Sequence, residues 1–67
     1  MTEQSEHADD DADGYVGLAR EDAEERARSQ GWTARSLAPG AVVTAEWRSR
    51  RINFLVVDGV VQRAWKG

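Results

Sequence analysis

The sequence is notable for what it lacks: it has no cysteine, one proline (Pro39), one histidine (His7) and no long apolar run. Without cysteine the chain forms neither disulfides nor thiolate metal sites, and this composition fits a reducing compartment. A signal peptide and a membrane span both need an apolar run, which the sequence as given does not contain. We therefore expect a cytoplasmic protein.

Catalysis and cofactor binding are not expected from this sequence. His7 stands alone among acidic residues, and no pair of acids has the placement that acid–base chemistry requires. Gly14 and Gly17 do not precede a Lys-Ser or Lys-Thr pair, so a phosphate-binding loop is not indicated. The acidic run near the start lacks the glycine turn and the later glutamate of a calcium loop. The sequence predicts a protein that is not an enzyme, with no metal and no cofactor.

Charge divides the 67-residue chain into two parts. Residues 1 to 13 contain six acids and no lysine or arginine, whereas residues 14 to 67 contain six acids and nine bases. A segment with so much charge and so little apolar surface cannot offset the entropy lost on ordering. We predict a disordered acidic leader over residues 1–13 and one folded domain over residues 14–67. Two roles are open for the leader: it keeps the protein in solution, or it folds back on the arginine-rich segment described below.

One helix is predicted from Arg20 to Gln30. The segment is dense in Ala, Glu and Arg, its first turn is acidic, and Gly31 follows it. Ala23 and Ala27 lie one turn apart, so the apolar face is thin and has to pack closely on a sheet. Ala19 stands at the expected N-cap, where it offers no side-chain acceptor, and we expect a weak first turn.

Three strands are predicted after the helix: Trp32 to Leu37, Arg51 to Val57, and Val60 to Trp65. Asp58-Gly59 separates the last two strands and favours a two-residue hairpin turn. The pattern indicates an α+β fold with one helix packed on a small sheet of about three strands. We expect its core to contain Ile52, Phe54, Val56, Val60, Leu37 and Ala23, with Trp32 and Trp65 at the ends.

A polar, arginine-rich segment separates the first two predicted strands. It begins at Pro39-Gly40, which favours a turn, and ends where the strand at Arg51 begins. Long loops in short proteins are usually functional. Because a strand precedes and follows the segment, both of its ends can be anchored to one sheet. The sequence therefore predicts a loop that presents residues to a partner.

Several features recur here in the order of a known family: Gly17, the helix with Glu21 and Ala23, Pro39-Gly40, Val43-Thr44-Ala45-Glu46-Trp47-Arg48, Arg51-Ile52 and Gly67. On these residues, roughly positions 15 to 67 resemble the potato inhibitor I family. The resemblance is greatest to bacterial serine-protease inhibitors related to the barley chymotrypsin inhibitor. Their pattern has a Val-Thr-x-(Asp/Glu)-aromatic-Arg stretch followed three residues later by Arg and an apolar-Asn pair.

The resemblance implies a monomeric serine protease inhibitor. Its first two strands would be parallel and joined by an extended reactive-site loop from about residue 41 to residue 51, with the scissile bond between Ala45 and Glu46. A methyl group at Ala45 suits a shallow or permissive primary pocket, which indicates subtilisin-like or elastase-like enzymes. The implied reactive-site residues are Val42, Val43, Thr44, Ala45, Glu46, Trp47 and Arg48.

A loop of this kind binds tightly only if the rest of the protein stiffens it. The candidates are Arg48 and Arg51, whose guanidinium groups can reach Thr44, Glu46 or main-chain carbonyls. Where barley-like members carry a second basic residue, this chain has Asn53, as do the bacterial relatives. The expected loop-supporting residues are Glu46, Arg48, Arg51 and Asn53.

Two other functions fit the sequence. The first is an intracellular protein-interaction module that keeps this fold without inhibiting a protease. The second is weak binding of single-stranded nucleic acid through Trp47, Arg48, Arg50 and Arg51, which interleave an aromatic ring with bases. The acidic balance of the whole chain, with a pI of about 5.0, argues against nucleic-acid binding.

Overall fold

A helix packs on a three-stranded sheet in the computed structural model, which describes residues 12–41 and 47–67. The elements are α1 (Arg20–Ser29), β1 (Thr33–Leu37), β2 (Arg51–Val57) and β3 (Val60–Lys66). The sheet order is β1-β2-β3, with β1 parallel to β2 and β3 antiparallel to β2. The predicted α+β fold, with parallel first strands in a small mixed sheet, is confirmed.

Both ends of α1 follow from local sequence. Ala19 is the N-cap and makes no side-chain capping bond, as predicted. The helix ends one residue before the expected Gln30, and the amide of Gly31 donates to the carbonyl of Arg28 at 3.0 Å. Gly31 has a φ of 86°, a left-handed conformation that glycine adopts without steric cost. This residue turns the chain from α1 into β1.

The hairpin between β2 and β3 fixes which side chains of β3 face the helix. Asp58 and Gly59 both have positive φ values, 53° and 79°, as a tight two-residue turn requires. Val60 pairs with Val57 and Val61 pairs with Val56, and the register shift lies beyond these pairs, between Val56 and Leu55. Val61 is therefore buried, whereas Val60 is 43% exposed. The prediction that Val60 lies in the core is wrong, because Val60 shares its sheet face with Val57 and not with Val56.

The core lies between α1 and one face of the sheet. Its buried members are Ala12, Tyr15, Ala23, Ala27, Ile52, Phe54 and Val61. The rings of Tyr15 and Phe54 lie 5.2 Å apart, and this aromatic pair closes the core beside the helix. The prediction holds for Ile52, Phe54 and Ala23, and Val56 is half-buried against the same cluster.

Leu37 was also expected in the core, and Trp32 and Trp65 at its ends. Leu37 is half-buried but lies outside the core cluster, because it pairs with Leu55 on the sheet face that points away from α1. Its assignment to the core is therefore wrong. Trp32 and Trp65 are both half-buried, and of the two only Trp32 packs against the core cluster.

The segment before α1 covers part of the outer edge of β3. Gly17 donates to the carbonyl of Val61 at 2.8 Å, Val61 donates back to Leu18 at 2.9 Å, and Ala19 forms a bridge with Val60. Pairing of this kind satisfies backbone groups that an open edge would expose. Residues 1–11 of the predicted acidic leader lie outside the described residues. No helix within residues 12–41 and 47–67 has the length and apolar character needed to cross a bilayer.

Candidate functional site

The parallel pairing of β1 with β2 makes their connection the candidate functional segment. Parallel strands cannot be joined by a tight hairpin, so residues 38 to 50 have to return from one end of the sheet to the other. Residues 42 to 46, including the expected scissile bond, lie outside the described residues, and their assignment stays a prediction. The structure does describe how each end of the connection is held.

The first end of the connection is a β-turn. The amide of Ala41 donates to the carbonyl of Ala38 at 3.0 Å across Pro39 and Gly40. Gly40 has a φ of 83°, which matches the third position of a type II turn with proline at the second position. The chain therefore turns directly after β1, as the Pro-Gly pair predicts.

At the second end, the ring of Trp47 lies against Gly67. A Cβ atom placed on Gly67 would lie 2.6 Å from Cδ1 of Trp47 and 2.7 Å from its Nε1, so a side chain at this position would displace the indole. The amide of Gly67 donates to the carbonyl of Arg51 at 2.9 Å. Trp47 is nevertheless 71% exposed, so one edge of its ring is held while most of it is accessible.

Arg51 binds the same glycine from within the protein. Only 8% of Arg51 is exposed, and its Nε and Nη2 donate to the main-chain oxygen of Gly67 at 3.2 and 2.9 Å. A main-chain oxygen is one of the acceptor types expected for this side chain. The other expected acceptors, Thr44 and Glu46, lie outside the described residues. Arg48, the second predicted supporting arginine, is exposed.

Asn53 is fully buried and joins all three strands of the sheet. Its Oδ1 accepts a hydrogen bond of 2.8 Å from Nε of Arg35 on β1, and its Nδ2 donates to the carbonyl of Trp65 on β3 at 3.3 Å. Arg35 was not among the predicted site residues. It places a guanidinium group from the neighbouring strand beside the buried amide of Asn53.

Arg50 was considered only as a surface base, but its side chain folds back on the protein. Its Nε donates to the carbonyl of Gly31 at 3.2 Å, and its guanidinium carbon lies 5.6 Å from the ring centroid of Trp32. The carbonyl of Arg50 accepts the amide of Thr33 at 2.8 Å. The contact of the Arg50 side chain with Gly31 could not be predicted from strand pairing, because Gly31 precedes β1. The sequence does not indicate the direction of the Arg50 side chain.

Charged side chains of the described residues lie at both ends of the molecule. The amino end of α1 lies beside the hairpin, where the positive charge of Arg20 accompanies the negative charges of Glu21, Asp22 and Asp58. Arg28 and Arg50 lie at the opposite end, where the second end of the connection also lies. Within residues 12–41 and 47–67, no group of three or more His, Cys, Asp or Glu side chains is placed to hold a metal ion.

The resemblance to the potato inhibitor I family depends on the motif residues alone. No family model matches the chain, and no curated protein shows significant similarity to it.

Proposed function

We propose that the protein is a cytoplasmic serine protease inhibitor that presents the bond between Ala45 and Glu46 as a substrate-like segment. The observation that carries the proposal is the parallel pairing of β1 with β2. The connection that this pairing requires contains the Val43-to-Arg48 pattern that resembles the potato inhibitor I family. The sequence motif and the strand topology both support an extended connection between two parallel strands.

Binding would follow the chemistry of substrate recognition. Val42, Val43 and Thr44 would lie along the protease cleft, where an extended backbone pairs with the enzyme. Ala45 would enter the primary pocket, and its single methyl group favours subtilisin-like or elastase-like enzymes over those that require a large or charged side chain.

Inhibition, as opposed to ordinary hydrolysis, requires that both sides of the target bond stay in place. The Pro39-Gly40 turn and the β1–β2 ladder hold the chain before the bond. After the bond, Trp47 lies on Gly67 and Arg51 binds the main-chain oxygen of Gly67. Each side chain already ordered before binding saves about 0.5–1.5 kcal/mol of ordering cost. Glu46 and Arg48 would complete the support next to the bond.

The test is a titration of subtilisin and elastase with the purified protein, with residual activity measured against inhibitor concentration. Mass spectrometry of the mixture should find slow cleavage between Ala45 and Glu46. Ala45→Asp should raise the inhibition constant about 100-fold or more, because a carboxylate in an apolar pocket costs about 3 kcal/mol or more. Ala45→Met should shift inhibition towards enzymes with a larger pocket.

Ala19→Asp is the matched control, since it makes the same substitution at an exposed alanine at the amino end of α1, beside the hairpin and away from the connection. It should leave the inhibition constant within about threefold of the wild type. If the wild type leaves subtilisin and elastase fully active, the proposal is refuted in favour of a non-inhibitory interaction module on the same fold.

The arrangement of the basic residues gives less support to nucleic-acid binding. Of the four residues considered for that role, Arg51 is buried and Arg50 contacts Gly31 and Trp32. Trp47, Arg48 and Arg50 are exposed but form only a small surface, whereas single-strand binding depends on a groove that follows the phosphate backbone. Salt-sensitive binding of single strands, together with no effect on the two proteases, would reverse this ranking.

A further inference from the structure

We infer that Arg50 is a positioning residue that fastens the second end of the β1–β2 connection to the turn after α1. The role of this fastening in inhibition rests on the proposed function, but the fastening itself is a property of the fold. The described contacts of Arg50 are with Gly31, Trp32 and Thr33, so an effect on inhibition would act through the position of the connection.

The backbone of Arg50 is fixed in an uncommon conformation. Its φ is 59°, in the left-handed region that residues with a Cβ atom rarely adopt. Its carbonyl accepts the amide of Thr33 at 2.8 Å, immediately before the first residue pair of the β1–β2 ladder, Thr33 with Arg51. The connection thus enters β2 through a residue whose backbone is already tied to β1.

The side chain of Arg50 adds a second attachment on a different element. The Nε donor reaches the carbonyl of Gly31 at 3.2 Å, and the guanidinium lies over Trp32. A Cβ atom on Gly31 would lie 2.6 Å from Nη2 of Arg50, so the glycine also provides the space that the guanidinium occupies. Gly31 therefore has two roles: its positive φ ends α1, and its missing side chain leaves room for the guanidinium of Arg50.

Trp32 links this attachment to the rest of the fold. Its amide donates to the carbonyl of Ala27 in α1 at 2.9 Å, and Nζ of Lys66 on β3 lies 4.9 Å from its ring centroid. An indole face attracts cations, so the ring holds Arg50 on one segment and Lys66 on another. Arg50 is thereby connected to α1 through the backbone of Trp32 and lies at the same ring as Lys66 of β3, while its own carbonyl binds β1 at Thr33.

The physical consequence is restricted motion on the carboxyl side of the proposed scissile bond. If the carboxyl side stays in place after cleavage, the new amino group of Glu46 remains close to the ester that joins Ala45 to the protease serine. It can attack that ester and re-form the peptide bond, which releases the serine hydroxyl. Loss of the attachment should let the cleaved end move away, so that water completes hydrolysis. Arg50 should therefore affect the rate of cleavage more than the strength of initial binding.

Arg50→Gly tests this inference together with Arg50→Asn: both residues accept the left-handed φ and remove the guanidinium, and asparagine does so without the added backbone freedom of glycine, so both variants should respond in the same direction. Hydrogen exchange should speed up about 3- to 10-fold at the amides of Trp47 to Arg51, while exchange in α1 stays unchanged. In the protease assay the cleavage rate should rise about 5- to 20-fold, with a smaller rise in the inhibition constant. Arg63→Ala is the control, since it removes another arginine that lies over a tryptophan ring, 5.9 Å from that of Trp65.

A second pair of variants tests the contact without a protease. Gly31→Ala should lower the melting temperature by less in the Arg50→Gly background than in the wild type, because the clash with Nη2 is then absent. Equal decreases in the two backgrounds, or unchanged exchange at Trp47 to Arg51 in Arg50→Gly, would overturn the inference. If exchange responds as expected but the wild type inhibits neither protease, the attachment is supported and the proposed function is refuted.

Discussion

Replacement of Asn53 by alanine should destabilise the protein more than any surface substitution. Asn53 is fully buried, and its side chain makes hydrogen bonds to Arg35 and to the carbonyl of Trp65. A bond to a charged group contributes about 1.5–3 kcal/mol, and the half-exposed position of Arg35 favours the lower part of that range. The longer bond to the carbonyl of Trp65, at 3.3 Å, adds about 0.5 kcal/mol.

The expected loss for Asn53→Ala is therefore about 2–3 kcal/mol of the free energy of unfolding. A disulfide-free domain of this size has about 3–5 kcal/mol in total, so more than half of its stability would disappear. The melting temperature should fall by about 10–20 °C. Urea unfolding followed by tryptophan fluorescence measures the change, since the chain has three tryptophans.

A double-mutant cycle isolates the contact itself. Arg35→Ala, Asn53→Ala and the double variant should show a coupling of about 1 kcal/mol or more, because each single change removes the same hydrogen bond. Arg63→Ala changes an exposed arginine on the same sheet and should stay within about 0.5 kcal/mol of the wild type. Additive effects of Arg35 and Asn53, within about 0.3 kcal/mol, would refute the role given to this pair.

Two further predictions concern packing. Gly67→Ala should lower the melting temperature, because a Cβ atom would overlap the ring of Trp47 and the φ of Gly67 is 109°. Adding Trp47→Ala to this variant should recover part of the lost melting temperature. No recovery would contradict the contact between Trp47 and Gly67. Val61→Ala should cost about 2 kcal/mol in urea unfolding, whereas Val60→Ala should change stability by less than about 0.5 kcal/mol. Equal costs at the two valines would contradict the register of β3.

The secondary structure was largely predictable because each element has a strong local pattern. The alternating run from Arg51 gave β2 with its observed bounds, and Asp58-Gly59 indicated the hairpin turn. The error at Leu37 arose because periodicity shows that alternate residues share a face but does not show which face meets the helix. The error at Val60 was avoidable, since the expected two-residue turn pairs Val60 with Val57 and so puts Val60 on the sheet face opposite to that of Val56.

The candidate site stays a prediction within residues 42 to 46. Arg51 was expected to reach Thr44, Glu46 or main-chain carbonyls beneath the connection, and among the described residues it binds the main-chain oxygen of Gly67. Arg35 and Arg50 were missed because their partners are distant in sequence, and each arginine also suits a solvated surface. A polar asparagine within an apolar strand was a usable signal, since a buried amide requires partners on neighbouring strands.

The way in which the sheet is held has a consequence for how much change the connection tolerates. The register of β1 and β2 is fixed by their own ladder, by Asn53 and by Arg50, none of which lies within residues 42 to 46. Doubling the length of a flexible connection costs only about 0.6 kcal/mol in closure entropy. Substitutions or added residues within positions 42 to 46 should therefore change the free energy of unfolding only slightly.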